Sequence, residues 1–116
     1  MANVREYQIT VPNVAGGATV NTDLTLATGI QVSSVWAIKT TANGTAAATV
    51  QLQNGAGAVI SDAISININD TTIARCSSID STNSTVTAAQ GLRVACVNSG
   101  SSANTQCLVY CFGQPV

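Results

Sequence analysis

Gly91-Leu92-Arg93-Val94-Ala95-Cys96 and, after a polar stretch, Cys107-Leu108-Val109-Tyr110-Cys111-Phe112-Gly113 are the segments on which the reading of the fold turns. In each, apolar residues recur at every second position, the period of a strand with one buried face. Leu92, Val94 and Cys96 share a face of the first segment, and Cys107, Val109 and Cys111 share a face of the second. Asn98 to Thr105 reads as the loop between them, with Gly91 and Gly113 as brackets. Folded as a symmetric hairpin, the pair places Cys96 opposite Cys107, Val94 opposite Val109 and Leu92 opposite Cys111, one consistent inner face.

The same alternation continues through the rest of the chain. Tyr7, Ile9 and Val11 alternate with Gln8 and Thr10 until Pro12, which cannot donate to a ladder, so this is a first strand at a sheet edge. Asn13 to Gly17 is a turn, and an extended segment through Val20, Leu24 and Leu26 is closed by Thr28-Gly29. Within Ile30 to Thr41, Val32, Trp36 and Ile38 share one parity while Val35 and Ala37 take the other, which points to a bulge near Ser33-Ser34. Trp36, the only tryptophan, is expected at the centre of the core. Asn43-Gly44 is a turn signal ahead of Ala48, Val50 and Leu52. Asn54 to Gly57 then leads into Val59 and Ile60, so these three strands read as a meander. Ile64, Ile66 and Ile68, then Thr72 to Cys76 and Thr85 to Ala88, complete the set, separated by Asn69-Asp70 and the polar stretch Ser77 to Ser84. Eight or nine short strands with regular turn signals, no sustained helical spacing and no fixed-period repeat predict an all-β antiparallel β-sandwich, jelly-roll-like, in which residues 1–116 form one domain.

Composition narrows the function. Apolar residues make up 46% of the chain but aromatic residues only 3%, so the core is built mainly from Val, Ile, Leu and Ala, which suits strands. Lys39, Arg5, Arg75 and Arg93 stand against Glu6, Asp23, Asp62, Asp70 and Asp80, for a net charge of −1. Four scattered cations make no patch for a phosphate backbone, so no nucleic acid is expected as partner. A near-neutral surface rich in hydroxyls and amides lacks the repulsion that keeps copies apart and suits assembly. Met1 to Tyr7 carries no apolar h-region and no later window has membrane length, so neither export by a signal peptide nor a membrane partner is expected. Asn43-Gly44-Thr45, Asn69-Asp70-Thr71 and Asn83-Ser84-Thr85 fit the glycosylation pattern but read as bare polar turns.

Histidine is absent, which removes the usual general base, the imidazole metal ligand and every Ser-His-Asp or Cys-His arrangement. Asp62 and Asp70 make the best carboxylate pair, yet both read as turn residues. Cys76, Cys96, Cys107 and Cys111 contain no C-x-x-C unit, the usual knuckle of a zinc site. In a strand Cys107 and Cys111 lie about 13 Å apart and cannot bond, whereas Cys96 with Cys107 is the feasible pair. All four are read as buried free thiols. Gly55-Ala56-Gly57 lacks the helix and lysine of a phosphate cradle, and Asn67, Asn69 and Asp70 offer one carboxylate, too few for calcium. No enzyme is expected, with no catalytic, cofactor or metal site and no small-molecule substrate.

From Tyr7 to Phe112 the order of an alternating first strand, Val35-Trp36-Ala37-Ile38-Lys39-Thr40-Thr41, the turn into Val50-Gln51-Leu52-Gln53-Asn54, and the closing Gly91-Leu92-Arg93-Val94 and Leu108-Val109-Tyr110 resembles small virion proteins of tailed bacteriophages, in particular capsid decoration or cement proteins. The resemblance implies a homotrimeric β-sandwich, made in the host cytoplasm and located on the virion's capsid surface. There it would bind the outer face of the major capsid protein shell and clamp neighbouring capsomers, modest contacts multiplied over many copies. On that reading the contact elements are the two termini, whose backbone is often the least satisfied of a domain. Val4, Tyr7, Phe112, Gly113, Gln114, Pro115 and Val116 would supply contact and Arg5 and Glu6 polar register; the plain alternative is that Tyr7 and Phe112 close one end of the core. A head fibre, tail or baseplate component is a second reading, and a carbohydrate-binding β-sandwich module a third. The third needs exposed aromatics, whereas three of Trp36, Tyr7, Tyr110 and Phe112 sit in alternating strands read as buried.

Overall fold

The computed structural model describes residues 4–39, 48–66, 73–98 and 105–116. Their nine strands are β1 (Arg5–Val14), β2 (Thr19–Leu24), β3 (Ile30–Lys39), β4 (Ala48–Asn54), β5 (Ile64–Ile66), β6 (Ala74–Arg75), β7 (Thr85–Val86), β8 (Leu92–Asn98) and β9 (Thr105–Pro115). One sheet has the order β1-β9-β3-β6, with β7 also on β3, and the other has the order β2-β8-β4-β5. All pairings are antiparallel. The chain passes back and forth between the sheets, so this is an all-β sandwich with jelly-roll-like connectivity. β1 stands at the edge of the first sheet, where Pro12 costs no ladder bond.

The inward residues are those the alternation selects. Ile9 and Val11 from β1, Val50 and Leu52 from β4, Leu92, Val94 and Cys96 from β8, and Cys107, Val109 and Cys111 from β9 belong to one buried cluster. Fully burying one such Val, Leu or Ile contributes about 1.5–3 kcal/mol. Buried polar groups are tied to backbone. Asn98 Nδ2 donates to the Val14 carbonyl (2.9 Å), linking β8 to the end of β1 in the other sheet, and Asn54 Oδ1 accepts from the N–H groups of Ala56 and Ala58 (3.0 Å each). Ser61 Oγ accepts from Leu52 N–H at 3.0 Å and donates to the Asp62 carbonyl. Several residues that look like surface turn formers in sequence therefore hold the interior together.

Three expectations are corrected. β8 and β9 form no hairpin: β8 lies between β2 and β4, and β9 between β1 and β3 in the opposite sheet. The connecting stretch is long enough to cross the roughly 10 Å between layers, and both edges of each strand are filled by other partners. Nor do β3 and β4 begin a meander, because they too lie in different sheets. Val59 makes only an isolated bridge to Gln53, beside fully buried Ile60. Trp36 is not at the core centre. The ladder to β9 slips between Val32 and Ser34, the bulge anticipated at Ser33-Ser34, so that Ile30 and Val32 face inward before it and Val35 and Ala37 after it. Trp36 is thereby turned to the outside. The turns at Asn43-Gly44 and Asn69-Asp70, with Asn67 and Ile68, lie outside the described residues.

Candidate functional site

The outward residues of the five-stranded sheet form rows across its strands. Register aligns Gln8, Tyr110, Trp36 and Arg75 in one row and Glu6, Phe112 and Ser34 in the next, with Leu108 and Ile38 paired beyond Tyr110 and Trp36. Side chains two apart on one strand point the same way, so the bulge that turns Trp36 outward sets it beside Tyr110 and Phe112, which alternate against the buried Cys107, Val109 and Cys111. Glu6, Trp36, Ile38, Ile73, Tyr110 and Phe112 line an open groove of about 230 Å³.

The floor of this groove is held in place. Trp36 Nε1 donates to Ser34 Oγ at 2.8 Å, the ring centroids of Trp36 and Phe112 are 5.0 Å apart with a 55° tilt, and the Arg75 guanidinium lies 4.2 Å from the Trp36 ring centroid. A cation over an exposed indole contributes about 0.5–1 kcal/mol, enough to bias the ring orientation. Ser33 Oγ donates to the Phe112 carbonyl at 3.1 Å and fastens the bulge beneath. The outer face of the other sheet differs: Asn21, Asp23, Thr49, Gln51, Gln53 and Arg93 occupy it, with Ala95 and Val97. One face is aromatic and the other polar, so the sandwich has a direction.

The terminal residues are brought together by the β1–β9 ladder, which pairs Arg5 with Gly113, Glu6 with Phe112 and Tyr7 with Cys111. β9 is bonded on both sides, Gln114 and Pro115 meet Gln31 and Ile30, and Val116 N–H donates to the Gly29 carbonyl at 3.0 Å. The C-terminal backbone is thus tied into the sheet, unlike the poorly satisfied backbone expected of a terminus. Gly113 is buried where an added Cβ would stand 2.7 Å from the Gln31 carbonyl oxygen. Tyr7 packs against the core, while Phe112 faces the groove. Val4 and Val116, 59% and 66% exposed, are the most exposed large apolar residues among those described, and both lie at this end of the sheet. Glu6 and Phe112 belong to both the terminal set and the groove.

The remaining reactive groups have structural partners. Asp62 Oδ1 accepts from the N–H groups of Ser77 and Ser78 (2.9 and 3.2 Å), and Asp80 Oδ1 from those of Thr82 and Asn83 (2.7 and 3.2 Å). Asp70, the other member of the sequence-predicted carboxylate pair, lies outside the described residues. Asp23 pairs with Arg93 Nε at 2.8 Å across β2 and β8, and that hydrogen bond holds its carboxyl below the ordinary value. All four thiols are free. Cys96 and Cys107 do meet, across the sandwich rather than across a hairpin, and the contact with Cys96 together with burial pushes the Cys107 thiol up. Burial raises Cys111 to about 12. Among the described residues no three His, Cys, Asp or Glu side chains gather as a metal site.

The aromatic groove was missed in sequence because a lone Trp was assigned to the core. The signal was present: once the bulge separates Val32 from Val35, Trp36 and Ile38 share the outward parity with Tyr110 and Phe112. The expectation that the aromatics are buried is corrected accordingly, since Trp36, Tyr110 and Phe112 are each only half-buried.

No family model matches the chain, and no curated protein matches it. Among solved structures it is similar to a chain of the cyanophage Pam1 capsid asymmetric unit, with a TM-score of 0.50 over 99% of this chain and 86% of that one, at 14% identity. What the two share at that identity is the fold.

Proposed function

We propose that this chain is a structural protein of a phage virion and, within that class, a homotrimeric decoration protein that seats on the outer surface of the major capsid protein shell and stabilises it. The observation that carries the reading is the fold likeness to a chain of a cyanophage capsid asymmetric unit, over nearly all of this chain and most of that one. The paired carboxylates and buried thiols agree with a role in binding rather than catalysis. The shell contact assigned here is the end of the five-stranded sheet where Val4 and Val116 stand exposed beside Arg5 and Gln114. Co-sedimentation with assembled capsids of the encoding phage tests it: the protein should pellet with capsids and raise their resistance to heat. Protein that stays in the supernatant beside intact capsids contradicts the reading.

A carbohydrate-binding module is the second reading, favoured by the half-buried Trp36, Tyr110 and Phe112 that line the open groove with Glu6. A glycan array separates the two. Glycan binding lost in Trp36→Ala, by a protein indifferent to capsids, would replace the decoration reading.

A further inference from the structure

We infer that the aromatic face of the five-stranded sheet is a self-association surface, on which Glu6 of one copy pairs with Arg75 of the next around an axis running along the strands. The placement of charge carries this. Among the described residues, Glu6 and Arg75 are the charged groups of that face, one on β1 and the other on β6, with β9 and β3 between them. Three strand spacings separate them by about 14 Å, too far to pair within one chain. Neither has an ionic partner among the described residues, where the ion pair present is Asp23 with Arg93.

Between these flanks lies an apolar strip of Tyr110 and Phe112 on β9 and Trp36 and Ile38 on β3. An axis parallel to the strands and above the middle of the strip turns the acidic flank of one copy toward the basic flank of another. It also sets β9 of one copy over β3 of the other. Sheets packed face to face keep their strands within about 30° of each other, so the aromatic strips can interdigitate while the flanks meet. Opposite signs on opposite flanks satisfy either two or three copies around such an axis, and like charges meet in neither. With a net charge of −1 per chain there is little long-range repulsion to overcome. Among the described residues the other outer face has no comparable strip. This contact between copies stands whether or not the other partner is a capsid.

Light scattering on purified wild type, Glu6→Arg, Arg75→Glu and the double reversal tests the pairing, with circular dichroism confirming that each is folded. Wild type is expected at a multiple of the 11.7 kDa chain mass at micromolar concentration. Glu6→Arg, which leaves the Arg75–Trp36 stack in place, should weaken association on the order of tenfold or more by setting like charges together. The double reversal should recover most of that loss. A folded wild-type monomer overturns the inference, as does an oligomer indifferent to Glu6→Arg or a double variant no better than the single ones. Capsid co-sedimentation, scored separately, reports on the decoration reading alone.

Discussion

Four thiols at graded depth give the residue scale its clearest chemistry. Cys76 is half-buried, whereas Cys96, Cys107 and Cys111 are at most 1% exposed. Thiolate is the reactive form, and burial suppresses both access and ionisation. Native protein treated with a thiol reagent should therefore modify Cys76 first, the other three following only on unfolding, as mass spectrometry of digested protein would resolve. The same burial sets an alkaline limit on stability. Cys111 keeps its proton to about 12 in the fold, against an ordinary value of 9.0. The unfolded chain releases this proton first, so the associated stability is fully present below pH 9.0 and is lost as pH rises toward 12. The slope is at most about 1.4 kcal/mol per pH unit for this thiol. Denaturant titrations across that window should show the decline, and Cys111→Ala should flatten it. An unchanged slope would mean the thiol ionises equally in both states.

At the scale of elements, alternation in the sequence identifies which residues point inward, and the structure keeps nearly all of them there. Leu92, Val94 and Cys96 are buried together with Cys107, Val109 and Cys111, as their spacing implies. Alternation does not say which strand lies alongside, because a hairpin and two strands facing each other across a sandwich both bury the same set. Cys96 meets Cys107 in either arrangement, so that proximity was legible and its geometry was not. The bulge at Ser33-Ser34 was legible too, from the parity break between Val32 and Val35, and the same break turns Trp36 outward, against the expectation that a lone large aromatic is buried. Gly55 shows a constraint that no pattern reveals. It packs so closely on the turn before β8 that an added Cβ would sit 1.8 Å from the Gln90 carbonyl oxygen, while its N–H donates to the Gly91 carbonyl at 3.0 Å. Gly55→Ala should cost about 1–3 kcal/mol, the usual range for overpacking, in a urea unfolding curve. A shift within error would show that the turn can move aside.

The whole molecule is a two-faced sandwich: a cross-connected core, one polar outer face, one aromatic outer face, and an apolar tip where the first and last strands meet. The antiparallel pairing of β1 with β9, which sets Arg5 opposite Gly113, leaves the exposed Val4 and Val116 at one end of the same sheet. The residues expected from sequence as contacts lie at the two termini, and the β1–β9 ladder pairs Arg5 with Gly113 and Glu6 with Phe112. The aromatic face, which lies beside the tip through Glu6 and Phe112, is the surface left for copies of the chain. Capsid binding by the tip is the central claim. The most direct measurement is co-sedimentation of purified wild type and of Val4→Asp with Val116→Asp against assembled capsids of the encoding phage, both proteins first shown to be folded and of equal mass in solution. Wild type is expected in the capsid pellet and the double variant in the supernatant. Wild type left in the supernatant, or a double variant that pellets as well as wild type, would contradict it.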